Sequence, residues 1–215
     1  MRVIGDYTTQ GYALVEGLIS PEIAKAFVGA LKADLGPQDL PVSQITQFPN
    51  LLTRPAFEIY GHHYPSMLFF LWGLTPIMRE ITGRDLLPTY DYLRIYREGD
   101  TCRVHYDRPS CEHSLSLTLD YSDGVVWDLE VGKDRSEPSA RVEEDFGEEQ
   151  FVSLGMKVGD AVLYRGTNHR HGRVKPNPNE WSVHLFLHWV ERGGQYADHA
   201  FDGQVQPANV NFQFA

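Results

Sequence analysis

The stretch with the clearest chemical potential is "CRVHYDRPSCEHSLSLTL", residues 102–119, in which one tyrosine separates His105 from Asp107. On a β-strand, residues i and i+2 project from the same face, about 6–7 Å apart along the chain. A histidine and a carboxylate at this spacing are two potential ligands of one metal ion. The pair alone is weak evidence, because the chain has nine histidines and chance pairs of this kind are common.

A third ligand is available in residues 159–175, "GDAVLYRGTNHRHGRVK", which contain His169 and His171. We favour His171, because it lies where a strand should begin, whereas His169 lies nearer the "GTN" turn. Two histidines and one carboxylate form the facial triad typical of non-haem Fe(II), which leaves three coordination positions open. The pattern therefore predicts a metal site made of His105, Asp107 and His171.

Short strands would position these residues. Turn-forming residues after residue 90 separate eight predicted strands, at 91–97, 102–107, 113–121, 126–132, 150–154, 160–166, 170–175 and 181–191. Eight short strands at this spacing predict a mostly β fold, an antiparallel barrel of the jelly-roll type.

Helices are predicted before the barrel. Ser20 is a candidate N-cap, Pro21 would occupy the first helical position, and Gly36 would end this helix. A second helix is predicted over residues 66–82, ending at Gly83, and "GYALVEGL" at 11–18 is typical of a short strand. We expect the helices to flank the barrel and to pack on one sheet.

The chain of 215 residues has no internal repeat and no flexible linker, so we expect a single domain over 1–215. Residues 1–90 would form the N-terminal strand and helices, residues 91–191 the β core, and residues 192–215 a C-terminal tail. The sequence does not indicate an oligomeric state.

The net charge and the cysteine content indicate which cellular environment and which kinds of partner to expect. The formal net charge is −10, whereas nucleic-acid binding depends on clustered Lys and Arg, so a nucleic-acid partner is not expected. The most apolar segment, 66–78, is too short to span a membrane. With no export signal, Cys102 and Cys111 are expected to be reduced thiols of a cytoplasmic protein.

Four segments, in order, resemble the prolyl-hydroxylase-like branch of the Fe(II)/2-oxoglutarate-dependent dioxygenases. They are "GYALVEGLISPEIAKAF" (11–27), "YLRIYREGD" (92–100), "HYDRPSCEHSLSLTLDYSDGVVWDLEV" (105–131), and "VGDAVLYRGTNHRHGRV" (158–174) with "WSVHLFLHWV" (181–190). The resemblance implies a double-stranded β-helix, the cupin-like form of the jelly roll.

The resemblance also implies an activity. His105, Asp107 and His171 would hold Fe(II), with 2-oxoglutarate as cosubstrate and dioxygen as oxidant. A C–H bond of an amino-acid, peptidyl or small-metabolite substrate would be hydroxylated while 2-oxoglutarate is decarboxylated to succinate. The loops expected to contact the substrate are 48–65, which contains His62 and His63, and 133–149, together with the tail 192–215.

One departure from the family pattern concerns the far carboxylate of 2-oxoglutarate. The family places a basic residue for it nine to thirteen positions after the distal histidine, but positions 180–184 contain "EWSVH", with no Arg or Lys. Arg173 is the first replacement candidate, because on a strand it would share a face with His171, and a guanidinium suits a carboxylate. Arg94, with Tyr96 on the same strand, is the second.

Each of these assignments has a structural alternative. Arg173 could form a surface ion pair, and Arg94 could pair with a buried carboxylate such as Glu112. Three alternate residues, Ser114, Ser116 and Thr118, could line the cosubstrate pocket or face solvent.

Two rival functions remain open at this level. The missing basic residue supports a non-catalytic, cupin-like metal- or ligand-binding barrel. A zinc-dependent hydrolase could use the same three ligands.

Overall fold

The computed structural model describes residues 1–35, 43–45, 51–54 and 56–203. The strands are β1 Arg2–Ile4, β2 Tyr12–Glu16, β3 Ser43–Ile45, β4 Ala56–Tyr60, β5 Leu86–Arg97, β6 Cys102–His105, β7 His113–Tyr121, β8 Leu129–Gly132, β9 Val142–Glu143, β10 Phe151–Leu154, β11 Ala161–Tyr164, β12 His171–Arg173 and β13 Trp181–Glu191. The α-helices are α1 Tyr7–Gln10, α2 Pro21–Leu35 and α3 Leu68–Thr82, and 3-10 turns span Pro65–Met67, Pro109–Cys111 and Ala197–Gly203.

The strands form two antiparallel sheets. The larger sheet has the order β1-β2-β11-β7-β13-β5-β4-β3, and the smaller has the order β10-β8-β12-β6-β9. Apolar side chains of both sheets meet between them, as in the cluster of Leu129 and Val131 from β8 with Val162 and Tyr164 from β11. The mostly β, jelly-roll prediction is confirmed.

The main hydrophobic core lies on the outer face of the larger sheet. Leu115, Leu117 and Leu119 of β7 point to this face, where they pack with residues of α2 and α3. Because side chains alternate along a strand, the intervening residues of β7 point the other way, into the interior between the sheets. The helices therefore cover one face of the larger sheet and leave its other face to the site.

Local signals account for the helix boundaries. The Ser20 hydroxyl accepts a hydrogen bond from the backbone N–H of Ile23 at 3.3 Å, and Pro21 is the first residue of α2. The predicted stop at Gly36 lies outside the described residues. Helix α3 ends where Gly83 adopts a left-handed conformation, with φ of 65°, and caps the Arg79 carbonyl.

The strand predictions differ from the structure mainly at their ends. The strand predicted over 102–107 stops at His105, because the chain turns into the 3-10 turn that begins at Pro109. The strand predicted over 91–97 is longer and begins at Leu86. Strands β1, β3, β4 and β9 were not predicted; the first three widen the larger sheet beyond the barrel.

Both cysteines, Cys102 and Cys111, are free. Within the described ranges, no helix combines the length and apolar character needed to cross a membrane.

Candidate metal centre

Three side chains converge at one end of the smaller sheet. His105 and His171 are directly opposite each other on the neighbouring strands β6 and β12. The Nε2 atoms of His105 and His171 lie 3.5 and 3.3 Å from Oδ1 of Asp107. All three candidate ligand atoms lie within 4.8 Å of one another, so a single metal ion can contact them together.

Asp107 reaches this position from outside the strand. It follows the end of β6 by two residues, and its backbone N–H donates to the Gly166 carbonyl at 2.8 Å. The expectation that Asp107 would lie on the same strand as His105 was therefore wrong. A loop contact, and not the alternation of side chains along a strand, positions this carboxylate. A Cβ atom at Gly166 would collide with Oδ2 of Asp107, so this close approach requires glycine.

Both histidine rings are oriented for metal binding. Nδ1 of His105 lies 2.8 Å from the Arg103 carbonyl, and Nδ1 of His171 lies 3.0 Å from the His169 carbonyl. A carbonyl only accepts hydrogen bonds, so each Nδ1 carries the proton. Each Nε2 therefore faces Asp107 with a lone pair available to a metal once it is deprotonated.

The charges of the three residues are strongly coupled. Burial alone would raise the pKa of Asp107, but the charge of His171 and the hydrogen bonds from both histidines hold that pKa well below its usual value. Burial would lower the pKa of His105, yet hydrogen bonds to Asp107 and Cys102 raise it to about 10. A metal cation at this position takes the place of protons that the cluster otherwise holds.

A hydrogen-bonded chain supports Asp107 from the larger sheet. The Ser114 hydroxyl lies 2.9 Å from Oδ2 of Asp107 and 2.9 Å from Nδ1 of His188. The carboxylate can only accept, so Ser114 donates to it, and Nδ1–H of His188 donates to Ser114. Nε2 of His188 is then a buried acceptor with no partner among the described residues. Burial lowers the pKa of His188 to about 4, which keeps the ring neutral.

Arg173 lies in the interior between the sheets and not at the surface. Only 1% of the residue is exposed. Its guanidinium donates to the Trp127 carbonyl at 2.9 Å, to the Ser116 hydroxyl at 3.3 Å and to Nδ1 of His184 at 3.3 Å. No carboxylate of the described residues forms an ion pair with it, so its positive charge remains available to a ligand.

His184 was not predicted as a site residue, although it lies thirteen positions after His171, in the interval where the family pattern expects a basic side chain. A guanidinium only donates, so Nδ1 of His184 accepts from Arg173 and the proton must be on Nε2. That Nε2–H is buried and makes no hydrogen bond to the described residues. Burial, reinforced by the charges of Arg173 and Arg94, holds the pKa of His184 well below its usual value.

Arg94 is already paired. Its guanidinium forms a buried salt bridge with Glu58 of β4 at 2.5 Å and donates to the Tyr96 hydroxyl at 2.8 Å. The suggested partner, Glu112, instead accepts from the backbone N–H of Glu191 at 2.8 Å. Since Tyr96 accepts from Arg94, its own O–H is free to donate, and burial raises its pKa to about 12.

The polar face of β7 is buried. Ser114, Ser116 and Thr118 all have 0% exposure, so the solvent-facing alternative is wrong. The Thr118 hydroxyl lies 3.3 Å from Nδ1 of His184. These hydroxyls line the interior that also contains Arg173.

Two histidines of a predicted substrate loop, and the arginine that follows Asp107, do not contact the three candidate ligands. His62 and His63 are exposed in the turn after β4, with their rings 3.9 Å apart. Arg108 lies over the Tyr90 ring, 4.4 Å from its centre, and donates to the Tyr90 hydroxyl and not to Asp107. Two tryptophans differ in position: the Trp127 ring lies against the Arg173 guanidinium, whereas Trp189 lies in the outer core.

Comparison with known proteins finds similar structures but no match by sequence. No protein-family model matches the chain, and no curated protein matches it. The non-haem alpha-ketoglutarate-dependent epimerase SnoN from nogalamycin biosynthesis matches with a TM-score of 0.68 and 10% identity, over 98% of this chain and 90% of SnoN. A Pseudomonas putida prolyl-4-hydroxylase matches with a TM-score of 0.61 and 12% identity, over 87% of this chain and 96% of the hydroxylase.

A third neighbour, HygX from Streptomyces hygroscopicus, has a TM-score of 0.61 and 10% identity, over 86% of this chain and 84% of HygX. The fold is that of the Fe(II)/2-oxoglutarate-dependent oxygenases. In this fold, the clustered His105, Asp107 and His171 lie where β6 ends and β12 begins, and Arg173 lies deeper between the sheets.

Proposed function

We propose that the chain is a non-haem Fe(II)/2-oxoglutarate-dependent oxygenase that hydroxylates a C–H bond of a small molecule or a peptidyl residue. The observation that carries this proposal is the convergence of His105, Asp107 and His171 within one metal-sized cluster, inside an oxygenase fold. Two imidazoles and one carboxylate suit Fe(II) and leave positions open for a chelating cosubstrate and dioxygen.

The hydrogen-bond donors in the interior next to the cluster support 2-oxoglutarate as the ligand. Arg173 is two residues after His171 on β12, an offset of about 6–7 Å that matches the reach of a five-carbon diacid bound to the metal at its other end. The guanidinium would bind the far carboxylate. The unpartnered Nε2–H of His184 is a second donor, and its burial without an acceptor is unfavourable unless a ligand supplies one.

Two hydroxyl groups complete the set of donors. The Tyr96 O–H is free, because Arg94 already donates to its oxygen. The Thr118 hydroxyl lies beside His184 and can rotate to donate to the same ligand. We assign the cosubstrate carboxylate to Arg173 and His184, with Tyr96 and Thr118 as supporting donors. Arg94 positions Tyr96, because its own charge is neutralised by Glu58.

Bound iron and 2-oxoglutarate would supply the oxidative chemistry, in which dioxygen converts 2-oxoglutarate to succinate and carbon dioxide while the substrate is oxidised. The protein's part is to hold and shield these groups. Ser114 fixes the Asp107 carboxylate, and the Tyr164 ring packs 4.4 Å from the His171 ring. Tyr90 and Tyr92 stack on His188 and restrict water on the side of the larger sheet.

The choice of hydroxylation and of a small substrate is supported by likeness only. The neighbours include a prolyl-4-hydroxylase and also an epimerase, so one fold serves more than one outcome. SnoN has been crystallised with Fe3+, alpha ketoglutarate and nogalamycin RO, and HygX with nickel, 2-oxoglutarate and hygromycin B. These ligands support a small-molecule substrate for this chain.

An anaerobic titration tests the proposal. Metal-free protein receives Fe(II) and then 2-oxoglutarate, while the visible metal-to-ligand charge-transfer band is recorded. A band that saturates at one equivalent of each is expected, because 2-oxoglutarate would chelate the bound iron. Bound iron without a band would contradict the proposal and favour the metal-binding barrel. Retention of zinc in preference to iron, with hydrolysis in the absence of dioxygen, would favour the hydrolase.

A further inference from the structure

A basic cleft opens at the metal end of the barrel, outside the site described above. It encloses about 290 Å³, and its walls carry the side chains of Lys133, Arg135 and Arg165, together with the His169 ring. This volume is near the lower end of small-ligand sites, which begin at about 300 Å³. The cleft can therefore hold one functional group of a ligand and not a whole large molecule.

None of the three cations of this cleft forms a salt bridge with a described residue, although the Arg165 guanidinium lies over the Tyr7 ring, 5.7 Å from its centre. Within the described part of the chain, no carboxylate forms an ion pair with Lys133, Arg135 or Arg165, although Asp and Glu outnumber Lys and Arg by 29 to 19. A neighbouring arginine behaves differently, since Arg170 pairs with Glu143 at 2.7 Å. A concave surface lined by one sign of charge concentrates the field and attracts an ion of the opposite sign.

The back wall of the cleft is rigidly built. His169 is only 2% exposed, and its Nδ1–H donates to the Gly132 carbonyl at 2.9 Å. The Tyr12 ring meets it edge-on, with the ring centres 6.0 Å apart. Gly11 has a φ of +79°, and a Cβ there would collide with Nε2 of His169. The ring is thus held against the cleft by its surroundings.

The cleft and the metal centre share this wall. In residues 165–171, Arg165 and His169 line the cleft, whereas Gly166 contacts Asp107 and His171 is a candidate ligand. The His169 carbonyl also accepts the hydrogen bond that orients His171. A group bound in the cleft would therefore lie beside the metal centre.

We propose that this cleft binds a phosphate-like dianionic group of the prime substrate and so places the rest of the substrate at the metal centre. This role in binding substrate rests on the proposed oxygenase function. Three cations exceed what a single carboxylate needs, whereas a phosphate monoester carries close to two negative charges near neutral pH. Arginine binds such oxyanions through two parallel N–H donors, and Lys133 adds a point charge.

The first experiment measures the binding of inorganic phosphate to the full chain by isothermal titration calorimetry at constant ionic strength. Saturable binding at one site is expected. The double variant K133Q/R135Q, which changes two exposed loop side chains, should weaken it by about tenfold or more. The matched control is R141Q, an exposed cation of the same loop that pairs with Glu143 and does not line the cleft. Absence of saturable binding, or an equal loss in R141Q, would overturn the proposal.

A second experiment tests the position of the bound anion relative to the metal. The protein is loaded with Mn²⁺, and relaxation of the phosphate ³¹P signal is compared between the original protein and K133Q/R135Q. Strong metal-dependent relaxation that the double variant loses supports an anion held next to the metal centre. Phosphate that binds without such relaxation is remote from the metal, which would overturn its role in placing substrate.

The two proposals fail in different ways. Calorimetry of phosphate needs no metal, so it remains interpretable if the charge-transfer band is absent. Conversely, a normal band without phosphate binding would leave the oxygenase proposal intact and remove only this one. Competition distinguishes the two sources of a bound phosphate. If the cleft holds the phosphate group of the substrate, inorganic phosphate must compete with a phosphorylated substrate. If inorganic phosphate binds there only as an effector, no such competition occurs, which would overturn the proposal.

Discussion

Arg173 of β12 donates a hydrogen bond to Nδ1 of His184 on β13, across the interior between the two sheets, at 3.3 Å. This contact links a cation on the smaller sheet to the position on the last strand where the family pattern would place the cation itself. It also fixes the His184 proton on Nε2, which has no other partner among the described residues. Compared with that pattern, the positive charge lies on the opposite sheet, and His184 offers an N–H donor at the position on the last strand.

The first prediction concerns this pair. Arg173→Gln should weaken 2-oxoglutarate binding by about 10- to 100-fold, because a charge-assisted hydrogen bond contributes about 1.5–3 kcal/mol. Iron binding should be retained, since Arg173 is not a ligand. The measurement is the dependence of the charge-transfer band on 2-oxoglutarate concentration, with exposed Arg192→Gln as control. Unchanged affinity in Arg173→Gln would move the role to another residue.

His184→Phe tests the donor without altering charge. The neutral ring is replaced by one of similar size that lacks both Nε2–H and the Nδ1 acceptor of Arg173, so 2-oxoglutarate affinity should fall by about tenfold or more, because the ligand loses one donor and Arg173 loses a contact that positions it. The affinity is measured by the same titration of the charge-transfer band with 2-oxoglutarate. Tighter binding would show that Nε2 of His184 does not face the ligand.

The choice between two neighbouring histidines is tested by iron content. His171→Ala should abolish stoichiometric Fe(II) binding, because it removes one of three ligands. His169→Ala is the matched control and should keep iron, since its ring faces the basic cleft and contacts the Gly132 carbonyl. Stoichiometric iron in His171→Ala, together with its loss in His169→Ala, would reverse the assignment.

Ser114 should raise the affinity for the metal, because it holds the Asp107 carboxylate in place. Ser114→Ala removes the hydroxyl that donates to Oδ2 of Asp107 at 2.9 Å, and loss of such a supporting contact costs about 10- to 100-fold in metal affinity. Ser182→Ala is a suitable control, because Ser182 is a buried serine of the same sheet whose hydroxyl has no described partner. Fe(II) affinity is measured by competition with a chelator, and equal affinities in both variants would contradict this role for Ser114.

The three candidate metal ligands could be named from the sequence, because each lies beside a local turn signal, whereas the residues that contact them could not. His105, Asp107 and His171 stand next to turn signals at strand ends, which a single sequence displays. The partner of Arg94 could not be found in this way, because Glu58 belongs to β4, a strand that was not predicted and that pairs with β5 across 36 positions of sequence. Contacts between distant strands depend on register, which strand patterns alone do not set.

The contact between Arg173 and His184 could not be predicted for the same reason. The sequence showed that no Arg or Lys occupies 180–184 and that Arg173 could share a face with His171. It did not show that β12 and β13 bring Arg173 and His184 within hydrogen-bonding distance from opposite sheets. This contact depends on how the two sheets pack together and not on the sequence of either strand.

The last prediction concerns the pH dependence of stability and lies away from the site. Asp91 of β5 points to the outer face of the larger sheet, is 1% exposed, and neither of its carboxylate oxygens has a hydrogen-bond partner among the described residues. Burial raises the pKa of Asp91 from 3.8 to about 7. The folded protein therefore binds this proton more tightly than the unfolded chain does.

It follows that the Asp91 contribution to the free energy of unfolding is most favourable below about pH 4 and is lost as pH rises to about 7, with a slope of up to about 1.4 kcal/mol per pH unit. Asp91→Asn removes the charge and should abolish this slope, so the variant should gain stability relative to the original protein between pH 5 and 8. Urea unfolding across this range measures the difference, with exposed Asp198→Asn as control. A stability difference between Asp91→Asn and the original protein that does not change with pH would show that Asp91 keeps an ordinary pKa in the fold, because only a shifted pKa makes the difference depend on pH.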